Sequence, residues 1–375
     1  MKNKKINIFK EFDYFLFIPV LLLTGIGVLV MRSATRTMET GDADFRKHLI
    51  SIAIGLVCCL AICLIDYKKL KVIGFVGFII TTGLLVYVLF GGSGMVEWGS
   101  RSWLTLPIIG NFQPSELAKI TMIIVVAVFF ESAQVEKRQK KLNYIIAFGV
   151  ATLTMGLIIL ERDFGMTIVF FAIFFGMIFS SNIKARYILI TIGSAAAVAA
   201  VSWMFLLNDA RKSRILVLLD PEKYADSSSS AAYHLENSIR TIGSGELTGK
   251  GYMEGITNVP TKTTDFVFAV FGEEFGFVGV ILLLVIIFVF LCRGLYIAYK
   301  ARDLFGTYVA VGLISMLAFV FIQNIGMCVG VFPITGLPLP FISFGGTAMV
   351  TNYVAVGILL SISMRKKRIL MFVED

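Results

Sequence analysis

The sequence predicts an all-α, polytopic integral membrane protein of about ten transmembrane helices, with both termini cytoplasmic and one long extracellular loop. Three observations predict it. First, 57% of the 375 residues are hydrophobic and only 16% are charged, against roughly 45–50% and about 25% in soluble domains. With a mean hydropathy of +0.85, too few polar residues remain to cover a globular surface. Second, apolar stretches long enough to cross a bilayer, about 20 residues each, recur along the whole chain. Third, the cations sit in short clusters between those stretches, and alternate clusters are rich and poor in them.

The elements follow in order as 14–31, 48–65, 72–90, 115–130, 143–160, 164–180, 187–207, 266–292, 305–331 and 344–363. Met1-Lys2-Asn3-Lys4-Lys5 ahead of the first run resembles a signal peptide. No small-x-small cleavage site follows, and more spans come after it, so this run is a first membrane helix. Lys and Arg crowd the N-terminus, 66–71, 131–142, 181–186, 293–304 and the tail Arg365-Lys366-Lys367-Arg368, whereas the intervening short connectors hold few. That bias assigns the rich side to the cytoplasm, and the tail reads as a topology anchor. The chain reads as a single membrane domain, 1–375.

The connector 208–264, between spans seven and eight, stands apart by its length, and loops this long are usually functional or disordered. It carries the run Ser227-Ser228-Ser229-Ser230, an amphipathic segment from Tyr233 to Ile242, and a glycine-rich stretch from Gly243 to Gly251. Short helices and turns on the outer membrane surface are expected, with the serine run mobile. The glycine stretch lacks the P-loop pattern, because Ser244 stands at the first glycine position and Gly251 at the Ser/Thr position. It reads either as a flexible turn or as a backbone-amide and Lys250 contact with a phosphate.

Composition also excludes functions. The net charge of +9 follows topology rather than forming a nucleic-acid face. Cys58, Cys59, Cys63, Cys292 and Cys328 lie in apolar runs, and His48 and His234 are far apart. There is no metal box and no disulfide framework, and the cysteines read as buried small hydrophobes.

Charged residues inside or at the rim of apolar spans are costly and therefore mark candidate sites. Glu116 and Lys119 enter the fourth span three residues apart, on one helical face, and each can neutralise the other. The pair reads as a structural ion pair or as part of a site. Asp265 opens the eighth span, where it suits a helix cap or a reactive carboxylate. Glu273 and Glu274 follow about 12 Å further along the axis and need cationic or hydrogen-bonding partners. Glu161-Arg162-Asp163 forms a tight outer turn. Finally, the segment from Gly336 to Gly346 cannot be regular helix, and irregular backbone at membrane depth survives only when buried in protein or lining a wet cavity.

These motifs together carry a resemblance. The runs from Phe112 to Lys119, Asp163-Phe164-Gly165, Thr264 to Gly276 and Gly336 to Gly346, with Arg101-Ser102-Trp103 and Arg214 before Asp220-Pro221, resemble the SEDS family, the group that includes RodA, FtsW and SpoVE. The match covers essentially the whole chain. It implies a peptidoglycan glycosyltransferase of ten spans that polymerises lipid II at the outer face of the bacterial plasma membrane, with a class B penicillin-binding protein as transpeptidase partner. It also implies Asp265 as the catalytic residue, with Glu116 and Lys119 lining the same cavity.

The chemistry fits those residues. A carboxylate can take the proton of an acceptor sugar hydroxyl that attacks an anomeric carbon. The departing lipid pyrophosphate needs cations, from Lys119, Arg101, Arg214 and Lys250 or from a divalent metal such as Mg or Mn. Glu273 and Asp163 complete the candidate substrate-binding set. The chain departs from the family's usual Gln-Pro-Asp-[Leu/Phe]-Gly-Thr at Glu161-Arg162-Asp163-Phe164-Gly165-Met166. His234 stands near a common Tyr-Gln pair, Phe344 replaces Tyr, and Thr347 replaces Ser. Short tails favour a RodA-like role in elongation over division or sporulation. The rival readings are a lipid II flippase or other lipid-linked anion transporter, which would want charges near the midplane, and a scaffold that only recruits a transpeptidase.

Overall fold

In this computed structural model the described residues are 11–94, 100–106, 110–181, 183–218, 220, 231–255 and 259–365. The serine run and Lys366 onward lie outside them. Nine helices among the described residues are long and apolar enough to cross a membrane, and the shorter apolar Phe164–Ser180 makes a tenth. In chain order they are α1 (Tyr14–Thr35), α2 (Gly41–Leu64), α3 (Leu70–Gly91, with a leading 3₁₀ turn), α4 (Pro114–Val135), α5 (Lys140–Leu160), α6 (Phe164–Ser180) and α7 (Ala185–Val201). Two loop helices follow, α8 (Asp209–Leu216) and α9 (Ala231–Gly243), then α10 (Val267–Tyr299), α11 (Leu304–Cys328) and α12 (Gly346–Ser363). Among the described residues the strands are a small antiparallel pair, β1 (Leu104–Leu106) with β2 (Gly110–Phe112), registered Thr105 opposite Asn111, beside an isolated bridge between Ser93 and Trp103.

Helices α4, α11 and α12 bury most of their length, whereas α7 buries very little. The peripheral helices turn Ile79, Phe90, Leu189 and Phe288 outward, the pattern of side chains facing lipid. Without water to drive helices together, packing relies on close backbone approach. Thus Gly357 of α12 lies against the Cys59 backbone of α2, and Gly55 of α2 against the Tyr353 ring. The five cysteines are unpaired, and Cys292 faces outward from the bundle rather than being buried.

The connectors alternate between two ends. At the end carrying the N-terminus, Asp13 caps α1 and takes a two-pronged contact from Arg293 of α10, Nε–Oδ1 and Nη2–Oδ2 both at 2.9 Å. Ser363 of α12 donates to the same carboxylate at 2.6 Å. Nearby, Tyr67 donates to Asp303, the cap of α11, at 2.9 Å. These contacts tie the first, eighth and tenth membrane helices together, and the ninth to the start of the third, at one end and leave the other end for the site.

Helix α10 contains the main surprise. Its 33 residues would run about 50 Å, well beyond a hydrocarbon core of about 30 Å. The helix breaks at Gly276 (φ 62°, ψ −166°). Backbone of the glycine-rich stretch fills the break. Lys250 and Gly251 N–H groups donate to the Glu273 and Glu274 carbonyls at 2.9 and 3.1 Å, and Phe277 and Val278 N–H groups donate to Glu246 and Leu247 carbonyls at 2.9 and 3.0 Å. The groups orphaned by the break are thereby satisfied. The stretch is therefore neither a free turn nor a phosphate cradle but a backbone wedge, and the adjacent Glu273 and Glu274 were the sequence's only mark of the place.

Helix α9 matches the amphipathic segment. Its buried face, including Leu235 and Ser238, is turned onto the protein, with the Ser238 hydroxyl donating to the Cys328 carbonyl at 2.8 Å. A Cβ at position 276 would lie 2.2 Å from the Gly249 nitrogen, at a φ that side chains rarely adopt. Gly276→Ala should therefore cost about 3 kcal/mol, read as a lowered unfolding temperature of the detergent-solubilised protein. Gly193→Ala, in a helix interior with no atom within 4 Å, should leave it equal or higher.

Candidate active site

Two clusters form at the end of the bundle opposite Asp13. The first starts at the mouth of α4, where Pro114 occupies the first helical turn. Lys119 Nζ lies 3.0 Å from both carboxylate oxygens of Glu116, and the two side chains are only 4% and 2% exposed. A charge pair this buried is held by its mutual contact, since removing one partner strands the other. Asp163 stands beside it. Its Oδ1 accepts the Met166 N–H at 3.0 Å and so caps α6, while Oδ2 accepts the Gln113 side-chain amide at 3.0 Å. The Ser102 hydroxyl also bonds it. Burial raises the Asp163 carboxyl, the Met166 N–H opposes that, and the Glu116 charge adds to it while Lys119 offsets part.

The second cluster is centred on Asp265, half-buried two residues ahead of α10. Its carboxyl is free of the capping role, since Phe266 occupies the cap position without a side-chain bond. The backbone is held instead. Asn324, fully buried in α11, donates to the Asp265 carbonyl at 2.9 Å and to the Leu337 carbonyl at 2.7 Å. Burial pushes the Asp265 carboxyl up to about 6, with the Thr264 hydroxyl and Arg214 pulling the other way.

The irregular segment joins the clusters, as expected of backbone buried in protein. Gly165, next to the Asp163 turn, lies so close to Thr335 that a Cβ there would sit 2.8 Å from the Thr335 carbonyl oxygen. A Cβ on the following residue, Gly336, would be 3.6 Å from the Asp265 carboxylate. Consecutive residues thus approach the Asp163 turn and the Asp265 carboxylate. Gln323 holds the stretch by donating to the Pro333 carbonyl at 2.9 Å. Ser343 donates to the Thr264 carbonyl at 2.5 Å and accepts the Leu339 N–H at 2.8 Å.

Cations gather at the rim. Arg214 of α8 bears electrostatically on Asp265 and on His234 of α9, whose ring stacks on Phe266 at 6.0 Å. Arg211 lies 5.3 Å from the Phe164 ring. Burial lowers its guanidinium from the ordinary value, as do Arg162 and Arg214, while Asp163 raises it. Arg101 is exposed, and its backbone N–H donates to the Glu161 carbonyl at 3.1 Å.

Of the sequence-predicted residues, Asp163, Glu116 and Lys119 come together, and Arg214 joins Asp265. Lys250 instead pairs with Glu273 at 2.7 Å, beside the helix break and eight residues on from Asp265. Glu274 accepts a hydrogen bond from Ser33. Sequence reasoning missed Gln113 as a ligand of Asp163, and Arg211, Arg162 and Asn324. The signal for Asn324 was present, since Gln323-Asn324 are two amides in an otherwise apolar helix. Among the described residues no group of three or more His, Cys, Asp or Glu converges to hold a metal ion.

Fold and site define a multi-pass membrane protein with a buried polar centre between its helices and a cationic rim. The FtsW–RodA–SpoVE family, described as cell cycle proteins, matches residues 13–368, and the chain belongs to it. It is 32% identical over 355 residues to peptidoglycan glycosyltransferase MrdB of Escherichia coli, covering 93% of this chain and 94% of that one. To stage V sporulation protein E of Bacillus subtilis it is 33% identical over 361 residues, covering 94% and 96%. Among solved structures, a chain from a peptidoglycan synthase complex that coordinates polymerization and crosslinking superposes with a TM-score of 0.78 at 25% identity, covering 94% and 97%. The rod shape determining protein RodA of Thermus thermophilus shares the fold, with a TM-score of 0.71 at 23% identity over 95% and 98%.

Lys119→Met should strand the Glu116 carboxylate and cost about 3–5 kcal/mol of stability. Adding Glu116→Gln should recover most of that loss, and thermal unfolding of the two variants in detergent measures the difference.

Proposed function

We propose that this chain is a peptidoglycan glycosyltransferase that polymerises lipid II into glycan strands at the outer face of the plasma membrane, with Asp265 as the general base. One observation carries the assignment of the base: Asp265 is half-buried, its carboxyl is not consumed as a helix cap, and its backbone is clamped by Asn324. The distribution of Lys and Arg supports an outward-facing site.

In the reaction an acceptor sugar hydroxyl attacks the anomeric carbon of a second lipid-linked sugar. The new C–O bond forms as the bond to the lipid diphosphate breaks, and Asp265 takes the hydroxyl proton. A base whose pKa lies just below the working pH is ionised yet still basic enough to accept a proton. Arg214, with Arg211 beside it, faces the leaving diphosphate and offsets the charge that develops there. Lys119 holds the Glu116–Asp163 cluster in place and presents the next positive charge. The diphosphate remains on its polyprenyl chain, which keeps the reacting atoms at headgroup level.

Its relatives are named peptidoglycan glycosyltransferases, and one structural neighbour comes from a synthase complex. A class B penicillin-binding protein, which cross-links the product, is accordingly the proposed partner.

Purified protein in detergent, given lipid II without nucleotide and with or without divalent cation, should make glycan polymer. Asp265→Ala and Asp265→Asn should each lower the rate by about 10²–10⁴-fold. Normal polymerisation by either variant sinks the assignment of the base, and no polymer from wild type under any condition favours the transporter or scaffold readings. Because burial raises the carboxyl to about 6, kcat/KM should climb with pH through about 6 as Asp265 loses its proton.

A further inference from the structure

Glu161 is a buried carboxyl with no partner among the described residues. It closes α5 and begins the turn that carries Asp163, and it is 1% exposed. Neither of its carboxylate oxygens has a hydrogen-bond partner. Its main chain is fully engaged, with the N–H donating to the Leu157 carbonyl at 3.0 Å and the carbonyl accepting from Arg101 at 3.1 Å. Those bonds hold the backbone of the turn, with the side chain buried.

The surrounding charges make an ionised Glu161 worse still. On its own turn stand Asp163, whose charge opposes its ionisation, and Arg162, exposed and in a left-handed conformation at φ 61°. Arg101, packed on the turn through its backbone, is exposed. Behind Asp163 lie Glu116 and Lys119 of α4, and Arg211 of α8 bears on Asp163 from the rim. No cation among the described residues forms an ion pair with Glu161. Lys119 is already shared between Glu116, at 3.0 Å, and Asp163, and a third carboxylate would have nothing to balance it.

We propose that Glu161 is a positioning residue that works as the neutral acid, placing no charge beside Asp163 so that Gln113 and Lys119 hold their places. Ionising Glu161 puts an unpaired charge two residues from the Asp163 carboxyl. Asp163 then loses its grip on the Gln113 amide and on the α6 cap, and the α4 cluster shifts away from the substrate. The inference rests on the glycosyltransferase reading for its activity arm alone, because the protonation state can be tested without any substrate.

The test compares wild type with Glu161→Gln, which keeps the shape and cannot ionise. Burial, reinforced by Asp163, pushes the Glu161 carboxyl up to about 9 from an ordinary 4.5. A carboxyl raised on folding contributes stability that is whole below the unfolded value and is lost as pH rises to the folded one. The unfolding temperature of Glu161→Gln should therefore exceed that of wild type by a margin that widens from pH 5 to pH 9. In the lipid II assay Glu161→Gln should stay within about threefold of wild type at pH 7.5. Its alkaline loss of rate should begin at least one pH unit above that of wild type. A constant stability margin overturns the proposal, as do superimposed alkaline limbs or an inactive Gln variant of normal stability. If neither protein makes polymer, the glycosyltransferase reading fails while the stability series still decides the state of Glu161.

Discussion

One buried amide organises the candidate site. Asn324, near the C-terminal end of α11, spends its two N–H donors on the carbonyls of Asp265 and Leu337. It thereby ties the residue proposed as base to the irregular segment that leads back to the Asp163 turn. Neither carbonyl belongs to a regular helix, so neither has an intrahelical donor, and in an apolar bundle an unmet carbonyl costs several kcal/mol. The amide removes that cost at both places at once. Ser343, which bonds the Thr264 carbonyl and the Leu339 N–H, does the same one step further out. The loop is thus rigid because it is buried and satisfied, which is what a reacting carboxylate needs from its support.

The same logic governs α10. A break in a membrane helix exposes carbonyls on one side and N–H groups on the other, and here both sets are met by the backbone of residues 246–251. The long connector is therefore part of the helix that begins just after Asp265, not an appendage to it. Glu273 and Glu274, costly in any apolar setting, are tolerated because Lys250 and Ser33 meet them at the break. Lys250 serves the fold in this way, and the cations at the two acidic clusters are Lys119 of α4 and Arg211 and Arg214 of α8 instead.

Polar groups are distributed unevenly between the two ends. At the N-terminal end, Asp13 is met by Arg293 and Ser363 and Asp303 by Tyr67, so the carboxylates are matched by donors and the end is a clasp. At the opposite end carboxylates crowd one lysine, and the arginines stand at the rim. Crowding of this kind is poor for stability and useful for chemistry, because it moves protonation equilibria toward the working pH.

Much of this was legible in the chain alone. The spans are set by local composition, since about 20 apolar residues satisfy hydrocarbon wherever they occur, and the expected run 164–180 is α6 to the residue. Glu116 with Lys119 followed from helical spacing, a property of one helix. The irregular Gly336–Gly346 segment followed from its glycines and prolines. Tertiary structure alone decided the rest. It broke α10 at Gly276, because the break is stable only when a distant loop supplies the missing hydrogen bonds. It gave Lys250 to Glu273, turned α9 onto the protein, and left Glu161 without a partner in a turn that composition reads as solvated. Hydropathy and spacing report what a residue needs from its surroundings; only the packed bundle determines which residue, from how far along the chain, comes to meet that need.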